Sequence, residues 1–233
     1  MTAIDQKTAV DRLREANSFL LTTHEHPDGD AIGTMLGLRG LLLAMGKRDI
    51  VCVSHDGVPR LYDWLPGRDA VKKPAEVSGR WDLAVIVDVA QIERIGDAAK
   101  LLASCGKVLV LDHHLETSPC GDYNFIVATY SAAAEIIIDL HEAAGVAMTK
   151  DTATCLYVGL TTDTGGFRFA NTNSGSHRRA AALLETGINV SDISTRAFDV
   201  LPKQKLGLLR CALDHMEVSA SRAFAHTWIS SED

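Results

Sequence analysis

Short, continuous apolar runs separated by longer segments of helical period constrain this chain more than any other feature. Phe19 to Thr23, Ile50 to Val53, Leu83 to Val87 and Val108 to Leu111 read as strands. Thr8 to Asn17, Ala31 to Met45, Ile92 to Cys105 and Ala132 to Ala144 read as helices, the last with Ser131 as its N-cap. Alternation of this kind predicts an α/β fold, a parallel sheet flanked on both faces by helices. Beyond Thr152 the pattern turns helical through Thr161, then again from Ser176 to Glu185 with Gly187 as a stop. Asp192 to Met216 reads as linking helices, and Arg222 to Ile229 alternates like the first strand of a new sheet. The expected organisation is therefore a domain over 1–190, a linker over 191–216 and the start of a second domain over 217–233.

At 233 residues and 46% hydrophobic content the chain can bury one sizeable core. Its 23 basic against 30 acidic residues, a net −7, exclude electrostatic wrapping of long double-stranded nucleic acid. The five cysteines, at 52, 105, 120, 155 and 211, are odd in number and lack a Cys-x-x-Cys pair. That usage predicts reduced thiols in a cytoplasmic protein rather than a disulfide framework or a zinc knuckle. The longest apolar stretch, Met35 to Met45, is interrupted by Arg39, so no membrane partner is expected. Asp5 to Asn17 is charged and amphipathic, unlike a signal peptide.

The apolar runs end in unusual residues. After the first comes His24-Glu25-His26-Pro27-Asp28-Gly29-Asp30, where Pro27 and Gly29 supply the backbone angles of a turn that lets Asp28 and Asp30 face one cleft. Gly33 and Gly37 open the following helix, whose N-terminus is expected to face incoming phosphate. Asp88 follows Leu83 to Val87 directly, placed either to bridge two cations or to cap the helix near Ile92. Asp112-His113-His114 ends the Val108 to Leu111 run, and adjacent residues offer the outer acceptor that a metal-bound imidazole needs. A fourth element, Thr161 to Phe167, sets a loop carboxylate, Asp163, beside Gly165 and Gly166. Loops at the carboxyl ends of strands are where an open α/β sheet places its site. Two histidines and four aspartates without a thiolate suit a pair of Mn²⁺-like ions. Such ions clamp the attacking and leaving oxygens of a phosphoryl displacement and activate water.

In this order the four motifs resemble the DHH phosphoesterase superfamily over about residues 15 to 215. The His-x-x-Pro-Asp-Gly-Asp form, with Phe167-Arg168-Phe169 and Asn171-Thr172, is similar to the oligoribonuclease (nanoRNase) and pAp-phosphatase branch. Manganese-dependent family II pyrophosphatases usually carry Thr at the position of Gly29. The resemblance implies that His24, Asp28 and Asp88 hold a first Mn²⁺, and that Asp30, Asp88, His113 and Asp163 hold a second, Mg²⁺ or Co²⁺ being alternatives. It further implies that His114 contacts the scissile phosphate or helps the leaving oxygen, and that Asp112 orients the histidines. Two departures stand out. The family's Ser/Thr-rich helix entry is thinned to Ser131-Ala132-Ala133-Ala134. The family also continues into a smaller domain, DHHA1, that grips the substrate's phosphate and base, and only its opening strand is expected here, as a truncated second domain.

Outside the motifs, His26, His55, His141, His177, His215 and His226 read as surface or satisfied core residues, with His26 set apart by lying within the first motif. Lys47-Arg48, Lys72-Lys73 and Arg178-Arg179 read as solvated faces, Trp64 and Trp81 as packing residues. Arg168 is the basic residue near enough to a motif to contact phosphate. The leading expectation is a metal-dependent phosphoesterase for short oligoribonucleotides and 3′,5′-bisphosphonucleotides such as pAp. The alternatives are a soluble phosphodiesterase for cyclic or linear dinucleotides and a non-catalytic nucleotide-binding module. Monomer and homodimer both stay open.

Overall fold

The computed structural model describes residues 2–89, 91–115, 120–200 and 203–230, which fall into two compact units, 1–193 and 194–233. The first is built on a seven-stranded, wholly parallel sheet: Thr2–Ala3 (β1), Ser18–Thr22 (β2), Asp49–Val53 (β3), Val71–Lys72 (β4), Trp81–Val87 (β5), Cys105–Asp112 (β6) and Tyr123–Ile126 (β7). Its order is β1-β7-β6-β5-β2-β3-β4. The helices are Gln6–Glu15 (α1), Gly29–Ala44 (α2), Ala133–Ala144 (α3), Lys150–Asp163 (α4), Ser174–Glu185 (α5) and the short Val190–Ser194 (α6). Among the described residues no helix is long and apolar enough to cross a membrane.

The two faces of the sheet are covered differently. Phe19, Leu21, Leu83, Val85, Leu109 and Leu111 point into a core shared with α1 to α5, through residues such as Leu13, Met35, Ile137 and Leu156. The alternate residues, Leu20, Ala84, Ile86 and Val110, pack instead on Ile95 and Ala98. Both latter residues lie in Ile92–Ser104, which is 3₁₀ turns interrupted at Gly96 (φ +57) rather than one regular helix. The expected N-cap of α3 is also corrected. Ala132 occupies the cap, and the Ser131 hydroxyl donates to the Asn171 carbonyl (2.6 Å). Strands β1, β4 and β7 went unread because two to four residues carry too little periodicity and owe their existence to pairing with longer neighbours.

Lys47 is half-buried rather than solvated, its Nζ donating to the carbonyls of Arg14 and Ala16 at the end of α1, while the exposed Arg48 donates to the carbonyl of Leu43. In the second unit, Lys203–Asp214 forms a helix (α7), and Glu217–Val218 (β8) pairs antiparallel with Ala225–His226 (β9) around a turn with Arg222 at φ +55.

His141 departs from a satisfied core histidine: it is 3% exposed, and neither ring nitrogen has a hydrogen-bond partner among the described residues. Burial lowers its pKa below the usual 6.5. The unfolded chain therefore binds the proton more readily, and stability is lost as the pH falls below about 6.5. His141→Leu is expected to stabilise the protein by about 1–2 kcal/mol near neutrality, because it removes two unsatisfied buried groups. The gain should widen at about pH 5. Thermal denaturation at several pH values checks this, and a gain independent of pH would contradict it.

Candidate metal centre

Three adjacent strands deliver the cluster: β2 runs into His24, β5 into Asp88, and β6 into Asp112, His113 and His114. Between β2 and β5 the strand order reverses, since β3 and β4 extend the sheet one way and β6 and β7 the other. A crevice opens at such a switch point. The Thr23 hydroxyl spans it, donating to the Val87 carbonyl (3.0 Å). Asp88 sits at φ +56, a left-handed backbone that aspartate tolerates better than most residues, while its amide still donates to the Leu111 carbonyl.

Helix ends bring the remaining carboxylates. Asp28 caps α2, accepting from the Ala31 amide (3.0 Å). Asp30 lies in the first turn and is wholly buried. Its oxygens accept from the Ala133 and Ala134 amides (2.6 and 3.0 Å) and from the Thr34 hydroxyl (2.7 Å). Asp30 therefore caps α3 from another helix, in place of Ser131. Asp163 is the last residue of α4 and not a loop carboxylate.

The tautomers follow from the hydrogen bonds. His24 Nδ1–H donates to the Glu25 carbonyl (2.8 Å) and His113 Nδ1–H to the Tyr130 carbonyl (3.2 Å). Both Nε2 lone pairs are left facing carboxylates. His24 Nε2 lies 3.5 Å from Asp88 Oδ2 and 3.9 Å from Asp28 Oδ1. His113 Nε2 lies 3.4 Å from Asp88 Oδ1, 3.3 Å from Asp163 Oδ2 and 3.9 Å from Asp30 Oδ2. It is buried and has no hydrogen-bond partner among the described residues. Lone pairs aimed at anions are unfavourable unless a proton or cation lies between them. This donor set of imidazole and carboxylate, gathered as His24–Asp28–Asp88 and Asp30–His113–Asp163 with ligand atoms within 4.8 Å in each group, fits two divalent cations. Asp88 offers one oxygen to each group.

Protonation is shifted as the geometry dictates. Burial disfavours the His113 imidazolium, but Asp88 and then Asp30 and Asp163 outweigh it and push the pKa up to about 10. Burial and then Asp88 push the Asp163 carboxyl up to about 6, whereas His113 and His24 overcome burial and hold Asp88 well below the usual carboxylate range. A divalent cation held by His113 Nε2 would have to displace that proton, so its uptake at pH 7 is expected to release at least one proton and its affinity to rise with pH. Calorimetry in buffers of different ionisation enthalpy reads this directly, and zero release would show that His113 is already neutral.

The other expected site residues sit at graded distances. His114 is partly exposed, its Nδ1 2.8 Å from the buried Asp112 and 3.7 Å from Asp88. Arg168 is exposed and donates through Nε to the Gly165 carbonyl (2.6 Å). His26 points away, 88% exposed and facing Asp56. Gly33 and Gly37 face α4, where a Cβ would strike Cys155 and Leu156, so they serve helix packing and not phosphate approach. At Gly29 a Cβ would come 2.5 Å from Thr162, which leaves no room for threonine there. Sequence reading missed Tyr130 and the Ala133–Ala134 amides, which act through main-chain atoms that residue identity does not reveal. Asn171 enters the sequence reading only through the family resemblance, with no role assigned, yet its amide donates to the carbonyls of both Ser131 and Asp163.

Comparison with known proteins places this geometry. The DHH family's N-terminal domain matches residues 18–160. A bifunctional oligoribonuclease and PAP phosphatase NrnA of Thermus thermophilus is 34% identical over 176 residues, covering 76% of this chain and 52% of that protein. A probable NrnA of Streptococcus mutans is 26% identical over 223 residues, covering 96% of this chain and 69% of the relative. The chain thus spans about half the length of the Thermus relative. Among solved structures, an exopolyphosphatase-related protein from Bacteroides fragilis superposes with TM-score 0.85 at 25% identity, covering 92% of this chain and 66% of that one. A putative family II inorganic pyrophosphatase of Methanococcus jannaschii shares the fold (TM-score 0.54, 16% identity, 77% of this chain and 59% of that one).

Proposed function

We propose a function from one premise: the chain belongs to the DHH family. The protein is a cytoplasmic, Mn²⁺-dependent phosphoesterase that hydrolyses short oligoribonucleotides and 3′,5′-bisphosphonucleotides such as pAp. The observation that carries this reading is the pair of ligand groups, His24–Asp28–Asp88 and Asp30–His113–Asp163, at the β2/β5 switch point, with Asp88 turning one oxygen to His24 Nε2 (3.5 Å) and the other to His113 Nε2 (3.4 Å). The names of the relatives, oligoribonuclease and PAP phosphatase, supply the substrate class.

His24, Asp28 and Asp88 would hold the first ion, and Asp30, Asp88, His113 and Asp163 the second. Bound divalent ions supply Lewis acidity to the phosphoryl group and acidify the attacking water. The chain's own groups do the rest. Tyr130 and Glu25 fix the two ring tautomers through their carbonyls, so each lone pair is presented without a search of orientations. His114 contacts the scissile phosphate or gives a proton to the leaving oxygen, while the buried Asp112 supports its imidazolium. Arg168 joins His114 in binding phosphate. Residues 1–190 are the catalytic domain, 191–216 the linker, and 217–233 the opening strand of a DHHA1-like domain.

A turnover panel with Mn²⁺ tests the reading, using pAp, short RNA, linear dinucleotides and pyrophosphate. Release of phosphate from pAp and mononucleotides from short RNA is expected. Hydrolysis of pyrophosphate alone would overturn the substrate class, and preference for dinucleotides would favour the dinucleotide phosphodiesterase.

The Asp112–His114 bond adds a pH signature. That bond raises the His114 pKa, against a smaller lowering by burial. Asp112→Asn removes the support, so the imidazolium should lose its proton at lower pH. The basic limb of the kcat profile is expected to move to lower pH. An unmoved limb would take the proton-donor role away from His114.

A further inference from the structure

We propose that Arg179 is a positioning residue of the metal centre, acting through Tyr130 on the ring of His113. The inference rests on reading His113 as a metal ligand. Arg179 was expected on a solvated face, yet its side chain is only 17% exposed. Its Nε and Nη2 form a fork onto Asp139 (2.7 and 2.6 Å), and its Nη1 donates to Glu135 (3.0 Å), which is fully buried. The guanidinium plane lies over the Tyr130 ring, 4.1 Å from its centroid. The Tyr130 hydroxyl donates to the same Asp139 carboxylate that Arg179 grips. Burial and then Asp139 push that phenol up to about 12, so it remains the donor throughout the working range.

Tyr130 is thus held by its ring face, its hydroxyl and, next in the chain, the Ser131–Asn171 pair. The partners come from α3, which carries Glu135 and Asp139, and from α5, which carries Arg179. The main-chain carbonyl of this clamped residue accepts the His113 Nδ1–H. A carbonyl can fix an imidazole only as well as its own peptide is fixed. A buried Arg with two carboxylates is weak evidence for stability in itself, since desolvation offsets most of the attraction. What such a fork does supply is geometry. An acceptor outside the ligand shell is worth about 10- to 100-fold in metal affinity.

Arg179→Met would leave the buried Glu135 without its cation and Asp139 with the Tyr130 hydroxyl alone, and risks misfolding, so Tyr130 variants carry the test. Tyr130→Ala keeps the carbonyl but removes the platform, while Tyr130→Phe keeps the ring beneath the guanidinium. Two readouts apply: Mn²⁺ titration by calorimetry, and the exchange-protected His113 Nδ1–H resonance of ¹⁵N-labelled, metal-free protein. Tyr130→Ala is expected to weaken one of two Mn²⁺ equivalents about 10- to 100-fold, leave the other near wild type, and lose the protected resonance. Tyr130→Phe should retain most of both. Val10→Ala, a core truncation in α1, should lower the melting temperature without moving either readout.

Wild-type Mn²⁺ binding with an intact resonance in Tyr130→Ala would overturn the proposal, and so would equal weakening in Val10→Ala. If the wild type binds no Mn²⁺, the ligand reading fails instead. The resonance alone then decides whether Tyr130 positions the ring.

Discussion

Asp88→Asn is expected to lower turnover with Mn²⁺ by about a thousandfold or more while leaving the fold in place. The carboxylate gives Oδ2 to the His24 side and Oδ1 to the His113 side, so one substitution weakens both ligand groups. An amide keeps the shape but loses the charge, and one of its two positions becomes a donor aimed at a cation. Several kcal/mol of transition-state stabilisation depend on such a clamp, and about 4 kcal/mol corresponds to a thousandfold. The fold should tolerate the change. Without cations, Asp88 attracts His24 and His113 but repels Asp30 and Asp163, so the repulsion relieved offsets part of the attraction lost. His113→Ala should match the loss of turnover, because it empties the position that faces three carboxylates. Circular dichroism and melting temperature establish that each variant is folded, and turnover is then measured on pAp. Near-wild-type turnover in either would rule out a two-ion mechanism for this protein.

The parts of the site that could be read from the sequence share one property: they are side chains whose chemistry is odd for their place. His24, Asp88 and His113 interrupt the ends of buried apolar strands, where polar groups have a cost that only function or capping explains. Asp163 was recognisable as a carboxylate but not as a helix end. The run from Cys155 to Leu160 is apolar on all sides because α4 is buried between α2 and α3, which erases the amphipathic period. Ser131 illustrates the opposite failure. Its identity suits an N-cap, but the long-range carboxylate of Asp30 outcompetes it for the α3 amides, 103 residues away in sequence. Arg179 looked solvated because its two carboxylate partners lie 40 and 44 residues off. Contacts at that separation are products of topology, and a local window does not contain them.

The spacing of α2 from α4 sets the distance between Asp28 and Asp30 at one helix's start and Asp163 at the other's end. Glycine controls that spacing. A Cβ on Gly33 would fall onto the Cys155 carbonyl oxygen and 2.9 Å from the Gly159 amide nitrogen, both backbone atoms that cannot swing aside. Gly33→Ala therefore has to push the helices apart. Overpacking of this kind costs about 1–3 kcal/mol and at times more, well beyond the gain of under about 1 kcal/mol that alanine brings to a helix interior. The expected result is a net loss of about 1–2 kcal/mol in denaturant unfolding, together with weaker Mn²⁺ binding as Asp163 moves away from His113. Gly207 in α7 supplies the opposite sign from the same substitution. Nothing lies within 4 Å of its Cβ direction, so Gly207→Ala should stabilise that helix by about 0.5–1 kcal/mol and leave Mn²⁺ affinity untouched. If Gly33→Ala proved neutral in both stability and Mn²⁺ binding, the close approach of α2 and α4 would not be what holds the carboxylates in register.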